Sequence, residues 1–376
     1  MQTAPHAPSY MPQLDSLRGL AAVAVLVSHA VPHSNFATQH LHLGHSAVRL
    51  FFVLSGFLIT GILLRARDDS TSLTHTLKAF YARRALRIFP LYYFVLLAML
   101  VLGSTVVWES AGYHFLYLSN VLTAINGEHS PAPVAHLWSL AVEEQFYLLW
   151  PSVILFLPTR YLKSAIIVAV VIGPVSRLLI GTLGFPAVTA SVVPTSCLDT
   201  LGMGAWLAYA WHKGIDATRL CRYGVVVGFT VLAASLFSQH AGYRLTHEAL
   251  FDLGLAFSFT WLVNGAACGF SGVAKRGLEW RPLVWLGAIS YGLYVYHGLI
   301  PAAVPLLEGH LDVWLRLPSP GAARVLYYFA ATIPVAALSW YLFERPINNL
   351  KQCFPYQPPV TAKEQPEELS EWVATS

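Results

Sequence analysis

Arg18 and His29 stand eleven positions apart in the first apolar stretch, which runs from Leu14 to Val31. Eleven residues make about three helical turns with only ~20° of drift, so both side chains lie on one stripe of a helix. The rise between them is roughly 16 Å, about half a hydrocarbon core. Ionisable groups inside a membrane helix are costly, and they usually mark a substrate or proton path. One helix thus offers a fixed cation toward one side of a bilayer and a titratable imidazole toward the other. Taken singly, each residue has a plainer role, an arginine snorkelling to headgroups or an interfacial histidine. Their shared stripe argues against the plainer roles.

Other residues of chemical interest lie further along. Arg84 and Arg87 form R-x-x-R. At helical i, i+3 spacing this sets two guanidinium forks on one face, a geometry that suits phosphate. Basic residues at a helix end also follow from topology alone. Glu143 and Glu144 are adjacent in a second apolar stretch and point about 100° apart on a helix. Asp199 fits a structural hydrogen bond between helices. Tyr291, Tyr294, Tyr296 and His297 fit either packing or substrate contact. His40, His42 and His45 have no carboxylate or cysteine at ligand spacing, so we expect solvated residues and no metal.

These groups must be positioned by membrane helices. The 376 residues are 56% hydrophobic and only 11% charged, whereas soluble domains run near 25% charged. Apolar runs of about 20 residues recur along the chain, which predicts an all-α polytopic membrane protein. We read ten transmembrane helices, at 14–31, 47–64, 88–107, 137–157, 164–182, 196–211, 223–239, 248–270, 283–305 and 322–343. Most of the 23 Lys and Arg fall in alternate connections and in the C-terminal tail. The positive-inside rule then makes both termini cytoplasmic, and an even number of spans agrees. On this reading Arg18 lies nearer the cytoplasm and His29 near the outer face. We divide the chain into a cytoplasmic N-terminal tail (1–13), a transmembrane domain (14–350) and a polar, disordered cytoplasmic tail (351–376). The N-terminal tail lacks the basic region of a cleaved signal peptide. Cys197, Cys221, Cys268 and Cys353 lack metal-ligand or C-x-x-C spacing, so structural burial is expected of each. No basic patch interleaved with aromatics points to nucleic acid.

Several motifs occur in order over nearly the whole chain: LDSLRGLAAVAVLVSH, LFFVLSGFLITG, FYARRALRIFPLYY, HLWSLAVEEQFYLLWP, SYGLYVYHG and FERP. Each is weak alone, and together they are specific. The chain resembles the acyltransferase-3 family of bacterial integral-membrane O-acyltransferases. The resemblance implies ten helices in the cytoplasmic (inner) membrane. It also implies an acyl group, usually acetyl, taken from cytoplasmic acyl-CoA and delivered to a hydroxyl of a carbohydrate or glycolipid acceptor. Acetyl-CoA is then a co-substrate, and no cofactor is tightly bound.

An alcohol is a poor nucleophile until its proton is removed, and histidine suits that task near neutral pH. The family's R-x10-H motif falls on Arg18 and His29, which assigns His29 as general base. Glu143 matches the acidic position of S-L-x-x-E, where a buried carboxylate would orient the imidazole. Arg84 and Arg87 would hold the coenzyme A phosphates, and Arg18 would face the same ligand or polarise the thioester carbonyl. Arg49, Glu144, His297 and Tyr294 are candidate acceptor contacts. Arg49 departs from the family pattern, because many members carry an acid just before L-F-F-V-L-S-G-F. Two other classes share some of these features. A transporter of a glycan precursor or proton-coupled solute would use intramembrane Arg, His and Glu, but would usually show paired repeats, and none is found. An idle scaffold would make His29 dispensable.

Overall fold

The computed structural model describes residues 11–31, 42–69, 72–129, 134–308 and 321–356. Among these residues, eleven helices carry the architecture: α1 (Pro12–Ala30), α2 (Leu43–Asp69), α3 (Leu73–Val101), α4 (Trp138–Phe156), α5 (Thr159–Thr182), α6 (Leu198–His212), α7 (Ala217–His240), α8 (Arg244–Cys268), α9 (Arg281–Ala288), α10 (Ser290–Glu308) and α11 (Ala322–Ser339). Short helical turns join them, and no strand occurs among the described residues. Local sequence sets the starts. Pro12 opens α1, where its missing N–H would be unpaired anyway. The Ser72 hydroxyl accepts from the His75 amide at the head of α3, and the Asp216 carboxylate accepts from the Arg219 amide at the head of α7.

Every expected span has a helical counterpart. Among the described residues, six helices are long and apolar enough by themselves to cross a bilayer, and a seventh crossing results if α9 and α10 count as one span. These two meet at a 69° bend beside Ile289, inside the stretch 283–305 that the sequence predicts as one helix. The helices α1, α4 and α6 are shorter, at 19, 19 and 15 residues.

Burial separates hub from periphery. In α2, 72% of the apolar window is buried inside the protein, against 17% in α7. Val226, Phe229 and Phe237 of α7, like Val168, Val171 and Leu179 of α5, expose apolar surface suited to contact with lipid tails. The hub approaches α6 closely through glycines. A Cβ at Gly56 would strike the Leu201 carbonyl, and one at Gly204 would strike that of Val53. Without hydration to drive helix association in a bilayer, such small residues let backbones touch and gain dispersion contacts.

Four helices are tied by a buried ion network. Arg49 of α2, fully buried, meets Asp252 of α8 at 2.7 Å and also donates to the Ser191 carbonyl at 2.9 Å. Arg177 of α5 meets Asp199 of α6 at 2.5 Å and Asp252 at 3.5 Å. The two arginines balance the two aspartates, which is what makes such charges tolerable away from water. Asp199 thus has the structural role expected of it. Arg49 lines neither of the cavities around Arg18 and His29, because its guanidinium is spent on this network. His45 joins the network too, with Nε2 2.5 Å from Asp252 Oδ1. It is therefore not the solvated residue its sequence context suggested, because its partner lies far away in the chain.

Two further expectations are corrected. Cys197 and Cys221 are buried, but Cys268 and Cys353 are exposed, since each sits at the end of a helix. The first residues of the tail expected from residue 351 are described and make contacts. Leu350–Cys353 form a 3-10 turn, and Arg83 donates to the carbonyls of Lys351 and Phe354 at 3.2 and 3.1 Å. The rest of that tail, residues 1–10 of the N-terminal one, and His40 lie outside the described residues.

Candidate active site

A cavity of about 240 Å³ opens between α1, α2, α3, α4 and α10. Arg18, Arg84, Arg87, Glu143, Glu144 and Tyr294 all line it. Six of the sequence-predicted residues, from four helices, are thus brought to one chamber. Arg84 and Arg87 project from α3 one turn apart, as i, i+3 spacing requires. Arg18 holds the Asp15 carboxylate at 2.8 Å, three residues back on α1. The Arg84 guanidinium lies 5.5 Å from the centre of the Tyr147 ring, a cation–π distance.

Glu143 is fixed by a chain of hydroxyls. Tyr147 donates to Ser55 at 2.9 Å, and Ser55 donates to Glu143 Oε1 at 2.5 Å. Its hydrogen bond therefore goes to Ser55 on the arginine side rather than to the His29 imidazole. Glu144, one residue on, turns away from this chain, and its buried Oε1 has no partner. Such an acceptor costs roughly 1–3 kcal/mol.

A second cavity, of about 370 Å³, contains His29, His42, His45, His129 and His136 along its wall. Val48 and Tyr294 line both cavities, so they form part of the partition between them. Tyr294 is held there by its hydroxyl, which donates to the His136 carbonyl at 2.8 Å and bonds Ser139. His29 Nδ1 lies 2.9 Å from the Val25 carbonyl. A carbonyl can only accept, so Nδ1 carries the hydrogen and Nε2 the lone pair. His29, His297 and His136 follow one another, with ring centres 4.9 Å and 4.6 Å apart. Burial, and after it the neighbouring His29, pushes the His136 imidazole down to about 3, so it is neutral at pH 7. Among the described residues no group of His, Cys, Asp or Glu is arranged to hold a metal ion.

Sequence reasoning missed Ser55, Tyr147 and His136 as site residues. Ser55 lies within L-F-F-V-L-S-G-F, and Tyr147 sits one helical turn after Glu143, so i, i+4 spacing was the available signal. His136 opens the motif HLWSLAVEEQFYLLWP, but its position beside a helix start gave it no partner by spacing.

A family model described as an acyltransferase domain matches residues 11–344, which takes in both cavities. The chain belongs to the acyltransferase-3 family. Among curated members, it is 28% identical to the peptidoglycan O-acetyltransferase OatA of Listeria monocytogenes over 385 residues, covering 93% of this chain and 57% of that protein. The putative peptidoglycan O-acetyltransferase YrhL of Bacillus subtilis is 29% identical, covering 90% and 55%. The O-acetyltransferase OatA of Staphylococcus aureus is 28% identical, covering 92% and 58%. The chain spans just over half the length of these relatives. No solved structure matches it. Acyltransferase-3 membership and the long apolar helices together make it a multi-pass membrane protein.

Proposed function

We propose that this acyltransferase-3 protein is an O-acetyltransferase of the cytoplasmic membrane, moving an acetyl group from acetyl-CoA to a carbohydrate hydroxyl. The acceptor class we favour is a peptidoglycan glycan strand, on the strength of what the relatives' names say they act on. Ten crossings with both termini cytoplasmic would set Arg18, Arg84 and Arg87 toward the cytoplasm and His29 toward the outer face.

The chemistry follows from the two chambers. The coenzyme A phosphates dock on the forks of Arg84 and Arg87, each of which can bind phosphate bidentately. Glu143 offsets the crowded cations and holds the Ser55–Tyr147 hydroxyls in place. The pantetheine arm carries the thioester inward past Arg18. The acceptor hydroxyl enters the histidine-lined chamber, where His29 Nε2 takes its proton as oxygen attacks the acyl carbon. The observation that carries this reading is the convergence of Arg18, Arg84, Arg87 and Glu143 on one cavity that shares a wall with that of His29.

The test is His29→Ala in membranes with the protein at normal abundance, assayed with radiolabelled acetyl-CoA and soluble glycan fragments. Acetyl transfer falls by roughly 10²-fold or more if His29 is the base. Undiminished transfer removes the assignment.

A further inference from the structure

The chain beyond α11 turns back over the first half of α3. Arg83 of α3 donates to the carbonyls of Lys351 and Phe354 at 3.2 and 3.1 Å, and its guanidinium lies 4.8 Å from the centre of the Tyr356 ring. His75 Nε2 lies 3.0 Å from the Pro355 carbonyl, which can only accept. Residues 350–356 are thus a strap, tied to α3 chiefly through main-chain carbonyls. Those bonds do not depend on which side chain stands at position 351.

The strap crosses a crowd of positive charge. Arg83, Arg84 and Arg87 form one patch of α3, because helical positions three and four apart are neighbours. Arg84 and Arg87 line the donor cavity. The Lys351 ammonium stands in the field of all three arginines, and the Tyr356 hydroxyl in that of Arg84 and Arg83. Among the described residues, none of these four cations has a carboxylate within ion-pair distance. Like charges at such spacing repel. Topology explains basic residues at a cytoplasmic helix end. It does not call for a strap that carries a fourth cation onto three others. A polyanion arriving there would offset the repulsion.

Coenzyme A is such a polyanion. Its diphosphate adjoins the pantetheine arm, and a separate phosphate hangs from the ribose beyond. With the arm in the cavity and the diphosphate on Arg84 and Arg87, the ribose phosphate is left at the mouth. We propose that the strap is the rim of the donor site and that Lys351 binds the ribose phosphate of coenzyme A. This rests on acetyl-CoA docking at Arg84 and Arg87. Arg83 acts through the strap, holding the main chain of Lys351 in place. An anionic lipid headgroup offers the same phosphate chemistry at a membrane surface, but it needs no cavity beside it.

The test compares acetyl-CoA with acetyl-dephospho-CoA, which lacks the ribose phosphate. It uses the full chain in phosphatidylcholine vesicles, with and without phosphatidylglycerol, and a soluble glycan fragment as acceptor. In the wild type KM should be lower for acetyl-CoA by about tenfold. Lys351→Gln keeps the stem and the carbonyl bonded to Arg83, and should abolish most of that preference through KM. Lys351→Arg should retain it. The ratio of the two KM values does not depend on how much variant protein folds. An undiminished preference in Lys351→Gln overturns the proposal, as does a wild type that treats the two donors alike. An equal rise in KM for both donors, seen only with phosphatidylglycerol, assigns the lysine to a lipid headgroup and also overturns it. In all three cases the wild type still transfers acetyl, so the parent reading stands. Transfer from neither donor by the wild type removes that reading, and this inference with it.

Discussion

The Ser55 hydroxyl donates to Glu143 across 2.5 Å while it accepts from Tyr147 at 2.9 Å. The carboxylate is therefore held on the arginine side of the partition by a two-step chain rather than by a cation in direct contact. Glu143→Gln keeps an acceptor for Ser55 but removes the charge. It should lower acetyl transfer by roughly 10²-fold with protein abundance intact. Ser55→Ala leaves that carboxylate without its donor and should cost about tenfold. Initial rates in vesicles, normalised to protein, check both.

Arg84 and Arg87 share one cavity wall with Arg18. A ligand present at a hundred times its Kd stabilises a folded protein by about 2.7 kcal/mol. Coenzyme A should accordingly raise the melting temperature of the purified protein. The rise should vanish in Arg84→Ala/Arg87→Ala. Arg84→Lys should retain only part of it, because an ammonium lacks the planar fork. A thermal-shift series with and without coenzyme A makes the comparison.

Asp252 faces Arg49, Arg177 and His45 at once. Asp252→Asn would leave one buried cation uncompensated. Breaking such a pair costs about 3–5 kcal/mol, enough to deplete folded protein. The readout is the monodisperse fraction after detergent extraction. Arg49→Met/Asp252→Leu, which removes both charges, should recover part of that fraction.

Cys268 and Cys353 are exposed, and in the ten-crossing topology both face the cytoplasm. A membrane-impermeant maleimide should leave both unlabelled in intact cells and label both once the membrane is opened. Labelling of Cys353 in intact cells would invert the proposed orientation.

Much of this arrangement was legible beforehand, for reasons that differ from residue to residue. Arg18, Arg84 and Arg87 could be placed because spacing along a helix sets direction, whereas Glu143 was placed by its position in the S-L-x-x-E motif. Helix limits were less legible where apolarity stops before the helix does. The helix α2 runs from Leu43 to Asp69, past the apolar stretch 47–64, because its charged last turns still make backbone hydrogen bonds. The bend at Ile289 left no proline or charge in the pattern to announce it. Least legible were Arg49 and His45. Their partner Asp252 lies 207 residues from His45, and no local rule carries that distance. The wrong expectation that His45 is solvated follows from the same blindness to long-range pairing.

Val48 and Tyr294 belong to both chambers, and a shared wall has a consequence apart from catalysis. A protein that admits a water-soluble thioester from one compartment and a sugar from the other risks becoming a pore. In the proposed topology, the Tyr294 ring and the Val48 isopropyl group stand where such a passage for ions would have to open.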